Sequence, residues 1–259
     1  MNYIFKLRNF PFSLFFITSF FTSLAQGESN LHARASEKTR FAIGVESILQ
    51  SHQYIQTNKA SLYWQLSPYY LSQLTDSSCS LASVTMVVNA IRSQQILVRN
   101  EPLATQNEVL KRVNDKDWQR GVRQGGNGVS LFQLETFLSK ALKVYGVDNF
   151  ELNRVQLKGS SKNNEFILHK ALVESENTGK TFIIANFNQK YFTGDMSVGH
   201  FSPIGAYDIA TKRVLIMDPD RELYEPYWVP EKLFFDSMAT LDKDAGHYRG
   251  YLILRIKPT

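Results

Sequence analysis

The stretch SQLTDSSCSLASVTMVVNAI, residues 72–91, decides how the chain is read, because it holds the only cysteine and the start of an apolar helix. Leu81, Val84, Val88 and Ile91 recur at helical spacing. They predict a helix from roughly Ser77 to Ser93, either amphipathic or buried all round. Asp76, Ser77 and Ser78 are good cap residues and place its start at Cys79. A thiol there faces unpaired backbone N–H groups and the positive end of the helix macrodipole, both of which favour the thiolate that attacks carbonyls. A buried cysteine is as often a small inert hydrophobe, so the rest of the chain has to decide. With one cysteine there can be no intramolecular disulfide and no multi-cysteine metal site.

Further along, GHFSPIGAYDIATKRVLIMDPDR (199–221) reads as two strands joined by a turn near Asp208 to Lys212. A turn centred there makes paired positions sum to about 420 and sets His200 opposite the region of Asp218 and Asp220. A carboxylate on one ring nitrogen fixes the tautomer and leaves the other nitrogen for a thiol, as a general base requires. The two aspartates share strand parity, so the pattern does not choose between them. Gln73, just ahead of the helix, is an amide that could join the Cys79 N–H in an oxyanion hole.

Around these segments the chain changes character. A short helix is expected near Phe41 to Gln50, and residues 94–128 form a polar connection ending in the loop RQGGNGVS (123–130). Ser130 caps a second helix, LFQLETFLSKALKVYG, with Gly146 as its stop. KTFIIANF (180–187) and RGYLILRI (249–256) read as strands. Helices first and an antiparallel sheet later indicate an α+β, two-lobed fold. The 259 residues, 43% hydrophobic, suffice for one sizeable core or two lobes around a cleft. Charged residues are 20% and mixed in sign, with a net charge of +5, so neither disorder nor a nucleic-acid partner is signalled.

Residues 1–25 carry a basic start (Lys6, Arg8), an apolar run from Phe10 to Leu24 and a small-residue end at Ser23-Leu24-Ala25. This reads as a cleaved signal peptide and an exported protein, periplasmic or secreted. Residues 26–60 are assigned to an N-terminal extension and 61–259 to the folded domain.

Together SQLTDSSCSLASVTMVVNAI, GHFSPIGAYDIATKRVLIMDPDR and YWVP…HYRGYLIL resemble the catalytic domain of the phytochelatin synthase family, papain-like cysteine transferases that act on glutathione. The likeness runs from about Ser61 to Ile256. It implies a papain-like fold, with a helical lobe holding the nucleophile helix and an antiparallel sheet lobe. It also implies Cys79 as nucleophile, His200 as general base and then acid, Asp218 rather than Asp220 as orienting carboxylate, and Gln73 as oxyanion donor. By the same resemblance Arg249 would clamp the γ-glutamyl carboxylate, suited to it by its bidentate guanidinium. Asn186, Phe201 and Ser202 would line the acyl pocket.

The sequence also departs from the family. Ser78 and Ser80 flank the cysteine where the family usually has an aromatic residue and a glycine, and Gln189 and Lys190 stand near a family arginine. The cysteine-rich tail of the plant enzymes is absent. The expected reaction is cleavage of the Cys–Gly bond of glutathione through a γ-glutamylcysteinyl-enzyme, mainly by hydrolysis, with transpeptidation to phytochelatins as the lesser outcome. The alternatives are a peptidase of the bacteriocin-leader-processing type and a non-catalytic binder of γ-glutamyl compounds. No protein metal site and no tightly bound cofactor are expected, and cadmium or zinc would enter only as a thiolate complex of the substrate. The expected partner is glutathione, with no nucleic acid, no membrane after leader removal, and a homodimer compatible with the sequence.

Overall fold

The computed structural model describes residues 39–94, 100–194 and 197–257, so the leader expected over residues 1–25 lies outside the described residues. From Arg40 onward the chain forms one compact unit. That unit takes in residues 40–60, which the sequence reading assigned to an extension. No helix forms over 41–50: Gly44 turns the chain at φ +84° and β1 (Glu46–Ser47) follows, pairing with a strand far along the chain. Then come α1 (Gln53–Thr57), α2 (Ser61–Leu66) and the cysteine helix α3 (Cys79–Arg92).

The polar connection is itself partly helical. Thr105 accepts the Glu108 N–H and starts α4 (Gln106–Val113), and Asp115 accepts the N–H groups of Asp117 and Trp118 and starts α5 (Lys116–Val122). Ser130 and Gln133 form a reciprocal capping box at the head of α6 (Leu131–Val144), as the sequence indicated. The second half holds β2 (Phe150–Gln156), α7 (Lys162–Thr178), β3 (Thr181–Asn188), α8 (Lys190–Thr193), β4 (Gly199–Asp208) and β5 (Arg213–Ile216). It ends with β6 (Tyr227–Pro230), α9 (Glu231–Met238), the small hairpin of β7 (Leu241–Asp242) and β8 (His247–Tyr248), and β9 (Gly250–Ile256).

Seven strands make one antiparallel sheet in the order β1-β6-β5-β4-β3-β9-β2. The architecture is thus α+β, helices first and sheet later. Both faces of the sheet are covered, which explains why every residue of β3 is buried. Its Phe182 and Ile184 enter a core shared with α3, α4 and α6, while Ile183, Ala185 and Phe187 enter a second core with α7 and α9. Helix α3 is buried along its whole length, so its lack of a polar stripe reflects burial on every side. The hairpin of β4 and β5 has the expected register: Ile204 faces Ile216 and, after a bulge at Gly205, Tyr207 faces Val214. Gly250 is required where it stands, since a Cβ there would lie 1.9 Å from the Val155 carbonyl oxygen of β2.

Candidate active site

Cys79 is the first residue of α3, and the turn before it is built from hydroxyls. The Ser78 Oγ accepts the Thr75 N–H at 2.8 Å and donates to the Thr75 carbonyl at 3.0 Å. Ser78 is therefore the cap residue by position but gives the helix no side-chain cap. The first-turn N–H groups keep their partial positive charge for whatever sits at Cys79. From the same helix Ser83 Oγ donates to the Phe201 carbonyl at 3.1 Å and pins α3 onto β4.

That contact brings the helix start alongside His200. The imidazole is buried, and its Nε2 meets Asp218 Oδ1 at 2.6 Å. Asp218 engages Nε2, so Nδ1 is the ring nitrogen left for another partner. Burial alone would pull the imidazole down, but the Asp218 charge, then that of Cys79, and hydrogen bonds with both hold it well above its ordinary value. Asp218 is fully buried, which pushes its carboxyl up. The His200 charge, with bonds from His200, the Tyr227 hydroxyl and the Asp220 N–H, overrides that and holds it low. Tyr227 Oη donates to Asp218 Oδ2 at 2.7 Å, the Asp220 N–H to Oδ1 at 2.9 Å, and Tyr70 Oη to the Asp218 carbonyl at 2.6 Å. Asp218, not Asp220, engages the ring. Such a set can hold a protonated imidazole beside a sulfur, the arrangement for nucleophilic attack followed by proton delivery to a leaving amine.

Two cavities, of about 250 and 450 Å³, meet at Cys79. Asn186 and Phe201 face each other across β3 and β4 and line the smaller one. The Asn186 amide also donates to the His200 carbonyl at 3.3 Å. Arg249 lines the larger cavity and is only 6% exposed. Its Nη1 donates to the Leu241 carbonyl at 2.8 Å, its Nη2 lies 3.7 Å from Asp242, and its Nε is buried without a partner. Burial lowers the guanidinium against the charges of Asp242 and Asp244. Gln73 braces the site through its backbone N–H, which donates to the Pro219 carbonyl at 2.8 Å, and its side-chain Oε1 is buried without a partner. Ser202 is placed differently from the expectation. It is fully buried and, by strand alternation, on the face opposite Phe201, and it does not line the smaller cavity.

A sequence model of the phytochelatin synthase family matches residues 43–251. The chain belongs to that family. Glutathione gamma-glutamylcysteinyltransferase 1 of Arabidopsis thaliana is 24% identical over 223 residues, covering 81% of this chain and 40% of the plant protein. The corresponding transferase 2 of the same plant is 27% identical over 200 residues, 74% of this chain and 39% of its own. The Schizosaccharomyces pombe transferase is 45% identical over 62 residues, which cover 24% of this chain. The chain spans about two fifths of the length of the two plant relatives. Among solved structures, the Pseudomonas avirulence protein AvrPphB covers 74% of this chain at 12% identity and a TM-score of 0.35, too slight a likeness to bear on the chemistry.

In this phytochelatin synthase-family protein the cavity walls also use residues the sequence reading passed over. Asn127 and Gly128 line both cavities, as does Asp244 from the β7–β8 hairpin, and Asp242 lines the smaller one. The glycine-rich loop RQGGNGVS was legible as a loop but not as a wall of the site. Strands of two residues leave no periodicity from which the hairpin could be read.

Proposed function

We propose that this protein cleaves the Cys–Gly peptide bond of glutathione through a thioester on Cys79. The Cys79 thiolate adds to the carbonyl carbon of the substrate's cysteine residue, and the first-turn N–H groups with Gln73 receive the oxyanion. Collapse of the adduct breaks the C–N bond, and His200 hands its proton to the departing glycine nitrogen. A water, deprotonated by the now neutral His200, then attacks the thioester, giving γ-glutamylcysteine and restoring the thiolate–imidazolium pair. Arg249 holds the α-carboxylate of the γ-glutamyl group and Asp242 faces its ammonium.

The observation that carries this reading is the 2.6 Å contact of Asp218 with the buried His200, together with Cys79 at the head of α3 opening onto a cavity that Arg249 also lines. Water is favoured over a second glutathione as acceptor. With Arg249 engaged by the donor, an anionic acceptor in the larger cavity would face Asp76 and Asp244 as well as Lys243. Where cadmium or zinc acts, it does so as a thiolate complex of the substrate, and the leader-like residues 1–25 support a reading of the protein as exported. Product analysis with glutathione, with and without cadmium, tests the proposal: free glycine and γ-glutamylcysteine in equal amounts support it. No glycine above that of Cys79→Ala would sink it, and oligomers as the main product would reverse the choice of acceptor.

A further inference from the structure

Helices α4, α5, α6 and α7 all begin under a side-chain cap, from Thr105, Asp115, Ser130 and Ser161. Helix α3 begins with a serine at the same position and is not capped by it. Its two flanking serines are occupied elsewhere. Ser78 folds back on Thr75, and the Ser80 Oγ accepts the Trp118 indole N–H at 3.2 Å. Both serines are about 1% exposed, so neither is a surface substitution for the family's usual neighbours. Ser78 in particular is a hydroxyl at the cap position that could have taken a first-turn N–H and is held away from doing so.

What holds them is α5 and the loop after it. Thr75 Oγ1 donates to the Val122 carbonyl at 2.7 Å, Ser77 Oγ donates to the Gly126 carbonyl, and Trp118 reaches Ser80. With the Gln124 amide donating to Asp76 at 3.4 Å, four side-chain bonds join residues 75–80 to residues 118–126 on either side of the sulfur. Trp118 has no freedom to swing: it is fully buried, stacks on Phe137 with centroids 5.0 Å apart at 10°, and rides on a helix that Asp115 caps.

We propose that Trp118, acting through Ser80, is a positioning residue for the nucleophile, and that α5 with its following loop is a clamp that aims Cys79 and keeps the first-turn N–H groups open to the oxyanion. The inference rests on the function proposed above for its turnover readout, and alkylation of the thiol tests it without glutathione. Trp118→Phe keeps an aromatic ring against Phe137 and removes the donor together with part of the buried ring volume. It should lower kcat for glycine release roughly ten- to hundred-fold, with KM within about twofold, as expected when a reacting group is misplaced by a fraction of an ångström. It should also shift the pH midpoint for iodoacetamide alkylation of Cys79.

Ser80→Ala leaves the indole N–H buried and unpaired, so it should lose both stability and rate. Adding Trp118→Phe to it removes that orphan donor, so the double variant should be more stable than the sum of the single costs predicts, by the orphan donor's share, without recovering kcat or the alkylation midpoint. The clamp is overturned if Trp118→Phe keeps the wild-type kcat and alkylation midpoint, or if the double variant recovers rate together with stability. Should the wild type release no glycine from glutathione, the functional reading fails, while the alkylation midpoints still judge the clamp.

Discussion

Two serines precede two long helices and do opposite things. Ser161, in extended backbone at φ −125° and ψ 142°, turns its hydroxyl onto the Asn164 N–H and closes the head of α7. Ser78, at φ −103° and ψ 18°, turns its hydroxyl away and leaves the head of α3 open. The first sits near the surface, where water could serve the same N–H groups at little cost. The second is buried, where an unpaired N–H costs on the order of 1–3 kcal/mol. An open helix head in the interior is therefore a place kept for an anion. In the mechanism proposed above, the Cys79 thiolate is one such anion and the substrate's oxyanion is the other.

The largest test of this contrast removes the anion. Cys79→Ala should abolish glycine release and the acyl-enzyme together while the fold survives, which circular dichroism and product assay would show. Asp218→Asn comes next. It should cut kcat/KM by roughly 10²–10⁴-fold and move the alkaline limb of the pH profile to lower pH, because the imidazolium loses the charge that holds it high.

The same substitution has a stability signature. His200, raised above 6.5, contributes fully below 6.5, and that share is lost as pH rises through its folded value. Asp218, lowered below 3.8, contributes fully above 3.8, and its share is lost as pH falls through its folded value. Urea unfolding of wild type and Asp218→Asn should therefore differ most between pH 3.8 and 6.5, and the gap should narrow on the alkaline side only as pH rises through the raised folded value of His200.

Arg249→Ala should act mainly on KM. It should lower kcat/KM by about 10–100-fold, the scale of one charge-assisted contact of 1.5–3 kcal/mol. A loss confined to kcat would argue against its part in holding the substrate carboxylate. The smallest effect on turnover belongs to the closed helix. Ser161→Ala should cost about 1 kcal/mol in unfolding free energy and leave glycine release unchanged. If it slowed turnover as much as Trp118→Phe, the distinction between the two helix heads would be lost.

Much of this was legible in the chain wherever a local rule and the tertiary structure agree. Helix α6 announced itself through Ser130, Gln133 and Gly146, and the β4–β5 hairpin through its turn and alternation. The cysteine at a helix head was visible, since the cap residues Asp76 to Ser78 placed the start at Cys79, where α3 begins after a hydroxyl-bonded turn. His200 meets Asp218 beyond the end of β5 at Ile216, where ladder counting no longer applies, so the resemblance rather than register chose between the aspartates.

The missed elements have equally physical causes. Helices α4 and α5 carry few apolar residues, and only the cap patterns Thr105–Glu108 and Asp115–Trp118 marked them. Strand β1 exists because β6, far along the chain, offers it an edge. Ser202 was expected in the acyl pocket, but strand parity turns it away from Phe201. The clamp from Trp118 had no sequence signal, being a contact between residues 38 apart.

The measurement that bears most directly on the open helix head is intact-protein mass spectrometry after a brief incubation of the reduced protein with glutathione and acid quench. The account predicts an adduct equal to γ-glutamylcysteine less one water, confined to Cys79, resistant to a phosphine reductant and absent from Cys79→Ala. An adduct carrying the whole of glutathione and lost on reduction, or no adduct on a protein whose Cys79 still alkylates, would contradict it.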